Sequence, residues 1–322
     1  MLKASALYIV IILSLVIAIL CGTLISTAYF YRLEYQKSKR YEKLLSNLNS
    51  GLALILSKDY KRESEEQTID LFENQTDSVM LKKAKWGVFD LALVRSFSGR
   101  DSLSKAFLIG KETERDKASL YLMDEDRPLS VSGTTKITGE AYLPKAGIKE
   151  AYVEGKSFKG EKLVNGTIKT SKNKLPALDT LFLDQIQKRL SEKITGNRRS
   201  LPDSLNNSFF NSERVFKLPR SEFRISNKSL KGRITIVSDT LVRIDKSSRL
   251  EDVIIYAPAI VVEGGFKGSC QLFAVDSIVT GANSVFNYPS SLTVLRPEEN
   301  PNIQPRIRIG NKTLFSGIVL SY

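Results

Sequence analysis

The chain has 322 residues and a net charge of +13, from 48 Lys plus Arg against 35 Asp plus Glu, and it contains no histidine. Without histidine, Ser-His-Asp and Cys-His nucleophiles and His-containing metal sites are excluded. The basic residues are interspersed with acidic ones and form no recognisable binding motif, so nucleic acid is not an expected partner.

From Ala4 to Tyr31 the sequence ASALYIVIILSLVIAILCGTLISTAYFY is uncharged and lies between Lys3 and Arg32. A bilayer core of about 30 Å takes about 20 apolar residues at about 1.5 Å each, and its backbone amides must be satisfied internally. The stretch is therefore predicted to be a transmembrane helix, with Ala4, Leu7, Ile9, Ile12, Leu15, Ile19, Leu24 and Tyr31 marking the span. Tyr29, Phe30, Tyr31 and Tyr35 cluster where an interfacial aromatic belt is expected. A cleaved signal peptide has a shorter apolar region of roughly 7–15 residues, although Ser26 and Ala28 have the spacing of a cleavage site. Leu20 is too bulky for a lipoprotein box before Cys21, and a buried core helix is disfavoured by the length and the absence of charge. Arg32, Lys37, Lys39, Arg40 and Lys43, counted against Lys3, favour the cytoplasm for the large C-terminal part.

Leu44, Leu45, Leu48, Leu52, Ile55 and Leu56 recur at steps of three and four, and no proline occurs up to Lys58. Residues 1–58 are thus predicted to form one helix, a membrane span continued by an amphipathic stalk that packs on the next domain; Gly51 points to close packing. In 59–127, a polar connector (59–75) precedes KKAKWGVFDLALVRSF, KAFLIGK and ASLYLMD, which read as a small antiparallel sheet. Trp86, Phe89, Leu91, Leu93 and Phe97 are its expected core. Breaks fall at Ser98–Asp101 and at the charged run Lys111–Lys117.

Residues 128–175 carry short β-runs closed by Gly133, Gly139, Gly147 and Gly155, the texture of a coiled parallel solenoid. In 176–222, Pro176 opens a helix with Leu178, Leu181, Phe182, Ile186 and Leu190 on one face and Gly196 at its end, followed by a polar loop. From 223 to 322 the solenoid texture returns. Leu230-Lys231-Gly232 before ITIVSDTL is echoed by Phe266-Lys267-Gly268 before SCQLFAVDSI, and Leu241, Ile260, Ile278 and then Leu292 read as successive corners. The expected fold is mainly β with a long N-terminal transmembrane helix, a small antiparallel sheet and a parallel β-solenoid; a β-sandwich is the alternative.

Asp239 and Asp276 sit in the same slot of two repeats, with Asp245 and Asp252 nearby. Paired carboxylates can cleave glycosidic bonds, but an Asp before Ser or Thr at a corner ordinarily accepts turn amides. Neither an enzymatic activity nor a catalytic, metal or cofactor site is expected, and no phosphate loop, dinucleotide fingerprint or CxxC pair is present.

ASALYIVIILSLVIAIL through Asn47-Leu48-Asn49-Ser50-Gly51 resembles the N-terminal helix of minor pilins and pseudopilins, without their glycine before the apolar run or the glutamate at its start. The glycine-punctuated stretches 129–169 and 228–295 resemble bactofilin-like, polymer-forming solenoids. Together these resemblances imply a non-enzymatic, single-pass inner-membrane protein of a bacterial envelope, a subunit of a pilus-like or secretion-like machine. Its implied partners are membrane lipid and envelope proteins, including itself, with no small-molecule substrate. The pilin likeness implies a periplasmic domain, against the charge count. A cytoplasmic-facing bactofilin-like scaffold is one alternative; a carbohydrate-binding or carbohydrate-cleaving β-helix protein, marked by aromatic residues along an outer groove, is the other.

Overall fold

The computed structural model describes residues 2–57, 60, 66–70, 77–110, 118–153, 155–191, 200–296 and 305–322, without the side chains of residues 2–6 and 181. The chain divides into two compact units, Met1–Ala84 with Leu91–Phe107, and Lys85–Asp90 with Leu108–Tyr322.

The first unit sets a helix on a sheet. Helix α1 (Leu2–Leu56) is one uninterrupted element of 55 residues, about 80 Å long. Strands β1 (Gln67–Ile69), β2 (Asp77–Trp86), β3 (Phe89–Ser98) and β4 (Asp101–Ile109) form a four-stranded sheet in that order, with β1 antiparallel to β2. The connector expected over 59–75 therefore contains a strand, because Gln67–Ile69 finds backbone partners in Val79–Leu81. Residues 61–65, 71–76 and the charged run 111–117 lie outside the described residues. The apolar run KKAKWGVFDLALVRSF is split between β2 and β3 by a turn at Gly87, whose φ of +62° suits a residue without a Cβ.

In the second unit, short strands come first: β5 (Ala118–Tyr121), β6 (Leu129–Val131), β7 (Ile137–Thr138), β8 (Glu140–Leu143), β9 (Ile148–Glu150), β10 (Val164–Asn165) and β11 (Ile168–Thr170). They pair in parallel as β5-β8-β11, β6-β9 and β7-β10, over a core of Ala141, Leu143 and Val164. ASLYLMD, expected in the antiparallel sheet, is instead the first of these parallel strands, with Leu120 opposite Ala141 and Ala141 opposite Ile168. A strand's composition does not state its partner's direction. All four glycines expected to close turns here have positive φ.

Helix α2 (Thr180–Ser191) comes next, burying Phe182 and Ile186 and half-burying Leu190. It starts four residues after Pro176, where Asp179 O accepts Leu183 N at 3.0 Å. The expected stop at Gly196 lies outside the described residues.

The largest element is a parallel sheet of eleven strands: β12 (Ser204–Asn207), β13 (Arg214–Lys217), β14 (Arg224–Ile225), β15 (Ser229–Gly232), β16 (Ile234–Val237), β17 (Val242–Ile244), β18 (Arg249–Val262), β19 (Lys267–Thr280), β20 (Val285–Val294), β21 (Arg306–Arg308) and β22 (Leu314–Ser321). Successive passes keep like residues in line. Phe216, Ile236, Ile255, Leu272, Leu292 and Val319 form one row, and Val242, Ile260, Ile278 and Ile307 another. Ile236, Ile255, Leu272 and Leu292 lie in one buried apolar cluster with Val242, Ile260 and Ile278.

Three expectations shift against this register. The parallel sheet begins at Ser204, not at 223: the polar loop contains β12 and β13, which pair with β15 and β16. Among the described residues each pairs on one side only, and Ser204, Asn206, Asn207, Arg214 and Lys217 are their polar members. The position in line with Ile260 is Val242, while Leu241 is 38% exposed. Leu292 aligns with Leu272, and Ile278 with Ile307. The thirty-six-residue echo spans two passes, since Thr235 aligns with Ile254 and Ile254 with Gln271.

Residues on the opposite face of these strands are buried too. Gln271 is fully buried; its Nε2 donates to Trp86 O at 2.9 Å and its Oε1 accepts Val88 N at 2.8 Å. A backbone irregularity at Asp252, with φ of +60°, accompanies a further bond in which Trp86 Nε1 donates to Asp252 O at 3.1 Å. The 85–90 turn is thus pinned by three hydrogen bonds. Gln271→Leu keeps the volume but strips partners from two backbone groups, at about 1–3 kcal/mol each. Chemical denaturation followed through Trp86, the single tryptophan, is expected to show a stability loss of about 2 kcal/mol or more.

Candidate functional site

The residues singled out by the sequence lie along α1 in two groups with opposite surroundings. In the first, Leu7, Ile9, Ile12, Leu15, Ile19, Leu24 and Tyr31 are all exposed, from 42% at Ile12 to 75% at Tyr31. Ala4 lies on the same helix, and its side chain is outside the described residues. More than a dozen large aliphatic side chains between Leu7 and Ile25 touch no core. At about 1.5–3 kcal/mol each, their exposure to water costs more than the roughly 5–15 kcal/mol net stability of an ordinary domain. A surface of this kind is compatible with a single membrane span, whose surroundings are apolar.

The segment's polar groups suit such surroundings. Ser14 Oγ donates to Ile11 O at 2.9 Å, Thr23 Oγ1 to Leu20 O at 2.8 Å and Thr27 Oγ1 to Thr23 O at 2.8 Å. These hydroxyls are satisfied within the helix, as hydrocarbon demands. Among the described residues, α1 is the one helix long and apolar enough to cross a membrane, and none of its most apolar window is buried by the protein. The core-helix reading therefore does not hold. Tyr29, Phe30, Tyr31 and Tyr35 are exposed at the end of the run, with the Tyr29 and Phe30 rings edge-on at 5.9 Å.

The second group lies where α1 meets the sheet of its own unit. Leu44 and Leu48 are buried, Ile55 is fully buried, and Leu52 is half-buried. Leu45 at 40% and Leu56 at 55% remain exposed, because the contacting face runs through 44, 47/48, 51 and 55. Asn47, buried at 2%, belongs to this face, and an apolar stripe does not predict it because polar residues are not counted in one. At Gly51 a Cβ would stand 2.7 Å from Val79 Cγ1 and 2.9 Å from Val94 Cγ1, so the helix backbone rests directly on β2 and β3. Lys43 pairs with the buried carboxylate of Asp77, and Arg40 with Asp101 at 3.7 Å.

The carboxylates considered for chemistry each have partners of their own. Asp239 accepts Arg220 Nε at 3.2 Å, Asp276 meets Arg296 at 3.6 Å and Asp252 accepts Ser269 Oγ at 3.3 Å. Burial pushes the Asp252 carboxyl above the usual carboxylate range. Asp245 accepts Ser247 N at 2.8 Å and Arg224 Nε at 3.2 Å, and these bonds, the backbone amide foremost, hold its carboxyl at about 2. Among the described residues no group of three or more Cys, Asp or Glu is placed to hold a metal ion. No protein-family model, curated protein or solved structure matches the chain.

These contacts predict two outcomes. Gly51→Leu overpacks the helix–sheet contact and is expected to destabilise the first unit by about 1–3 kcal/mol, measured by denaturation of the whole protein in detergent micelles. For Asp245 the folded state binds its proton more weakly than the unfolded chain, whose Asp titrates near about 3.9. Its contribution is present above about pH 4 and is lost as pH falls toward 2. Asp245→Asn should lower the melting temperature at pH 7 and flatten its dependence on pH between about 4 and 2.

Proposed function

We propose that this chain is a non-enzymatic, single-span membrane protein of a bacterial envelope that presents a β-solenoid for assembly, as a subunit of a pilus-like or secretion-like machine. The observation that carries the reading is the continuity of α1. One helix offers lipid or neighbouring helices an unburied apolar surface from Leu7 onward, then seats Leu44, Leu48, Gly51 and Ile55 on a sheet without a break. A span without a hinge transmits position from the membrane to the domain, which suits a subunit that packs laterally through its helix.

The solenoid reading rests on the parallel, in-register passes from β12 to β22. The final strand supports assembly: β22 exposes Leu314, Ile318 and Val319, and Val319 occupies the row that is buried at Leu292 and Leu272. These exposed aliphatic side chains also favour the second reading, a bactofilin-like scaffold facing the cytoplasm.

The two readings differ in topology. The protein should stay in the membrane pellet after carbonate extraction, and a variant lacking residues 2–31 should move to the soluble fraction. A tag after Tyr322 should be cleaved by protease in cells with an opened outer envelope and an intact inner membrane. Full protection of the tag would transfer the assignment to the cytoplasmic scaffold, and release of the intact chain by carbonate would remove both.

A further inference from the structure

Within the second unit, a cleft of about 570 Å³ opens between α2 and the outward face of the parallel sheet. Its floor is Thr235 and Ile254, aligned on β16 and β18, and Tyr256 two residues on. Tyr256 is stacked on Phe273 of the next pass, with ring centres 4.9 Å apart and planes at 16°, so its orientation is fixed. Helix α2 supplies one wall through Ile186 and Arg189, which share a face at helical spacing. The 85–90 turn supplies another through Trp86, held by Gln271 and by the carbonyl of Asp252. Glu213 also lines the cleft and pairs with Arg189 of α2 through both carboxylate oxygens at 3.3 and 3.4 Å.

The polar groups of the floor lack protein partners. Thr235 is 1% exposed and Tyr256 is 7% exposed, both line the cleft, and neither hydroxyl makes a hydrogen bond among the described residues. Burial raises the Tyr256 phenol above its ordinary range, so it stays protonated and both donates and accepts.

The chemistry of the occupant can be read from this lining. A purely apolar molecule would leave both hydroxyls unpaired. An anion would find no charge on the floor; of the cations in the walls, Arg189 is paired with Glu213 and Lys85 with Asp90 at 2.8 Å, while Lys188 also lines the cleft. A polyhydroxylated ring satisfies every surface at once. Its hydroxyls match Thr235, Tyr256 and the long Arg189–Glu213 pair, which offers donors and acceptors side by side, while its C–H faces lie against Ile254, Ile186 and Trp86. We propose that this cleft binds neutral pyranose units of a glycan, one or two rings at a time. The site lies wholly in the second unit and is independent of which membrane face that unit occupies.

The single tryptophan, Trp86, reports on the cleft directly. The full chain, held in a detergent without a sugar headgroup, is titrated with glucose, mannose, galactose, N-acetylglucosamine, maltotriose and triacetylchitotriose, with glucuronate and inorganic phosphate as anionic controls. A saturable change in Trp86 fluorescence with at least one neutral sugar is expected. Tyr256→Phe and Thr235→Val, which keep shape and remove a hydroxyl, should each raise its Kd about tenfold. Unchanged melting curves of these variants show that the fold is intact. Three results would overturn the proposal: no saturable response to any neutral sugar, a response to the anions alone, or equal affinity in both hydroxyl-deleted variants, which would leave water as the occupant of the cleft.

Discussion

Main-chain amides and carbonyls removed from water must find partners, and this chain meets that demand in two ways. In α1 every partner is local, four residues away, so the segment needs no neighbour to saturate its backbone and can present an uncharged surface to an apolar medium. From β12 to β22 the ladder partners are remote, on a neighbouring pass of a parallel sheet. The first arrangement tolerates isolation. The second does not, and its register is specified by which apolar residues fall in line, since a slip of one residue would turn the Ile236–Ile255–Leu272–Leu292 row outward.

Stacking alike residues has a consequence on the other face of the strands. Most single-faced sheets leave that face to solvent, yet here Ile254, Tyr256, Gln271, Phe273 and Thr293 are buried as well. Ile254 and Tyr256 lie under α2, which also buries Phe182 and Ile186, and Gln271 lies under the 85–90 turn. Gln271 is a polar member of this layer with a backbone partner at both its amide nitrogen and its amide oxygen. Thr235 and Tyr256 are the members left facing a cavity, and the cleft is therefore the place where coverage of the outward face is incomplete.

The terminal passes differ in how they end. The sheet opens on β12 and β13, whose outward positions are Ser204, Asn206, Val215 and Lys217, and closes on β22, which is uncharged and exposes aliphatic side chains. Together with the unburied surface of α1, these side chains are apolar groups exposed among the described residues.

Legible from the residues alone were the long helix, the uncharged run from Ala4 to Tyr31, an apolar stripe over Leu44–Leu56 that includes the exposed Leu45 and Leu56 beside the buried Leu44, Leu48 and Ile55, and the β texture closed by glycines after Pro128. These are local properties: charge, helical spacing and turn chemistry act over a few residues. The sequence left undecided which strands are neighbours. Gln67–Ile69 and Ser204–Asn207 look polar and become strands only because Val79–Leu81 and Ser229–Gly232 lie beside them; ASLYLMD takes a parallel partner that its own composition does not name. Leu241 and Val242 are equally apolar, and only the register with Ile260 decides which is buried. The cleft had no sequence signature at all, because Trp86, Ile186, Glu213 and Tyr256 are brought together by pairing over more than a hundred residues, and pairing at that distance is settled by tertiary packing alone.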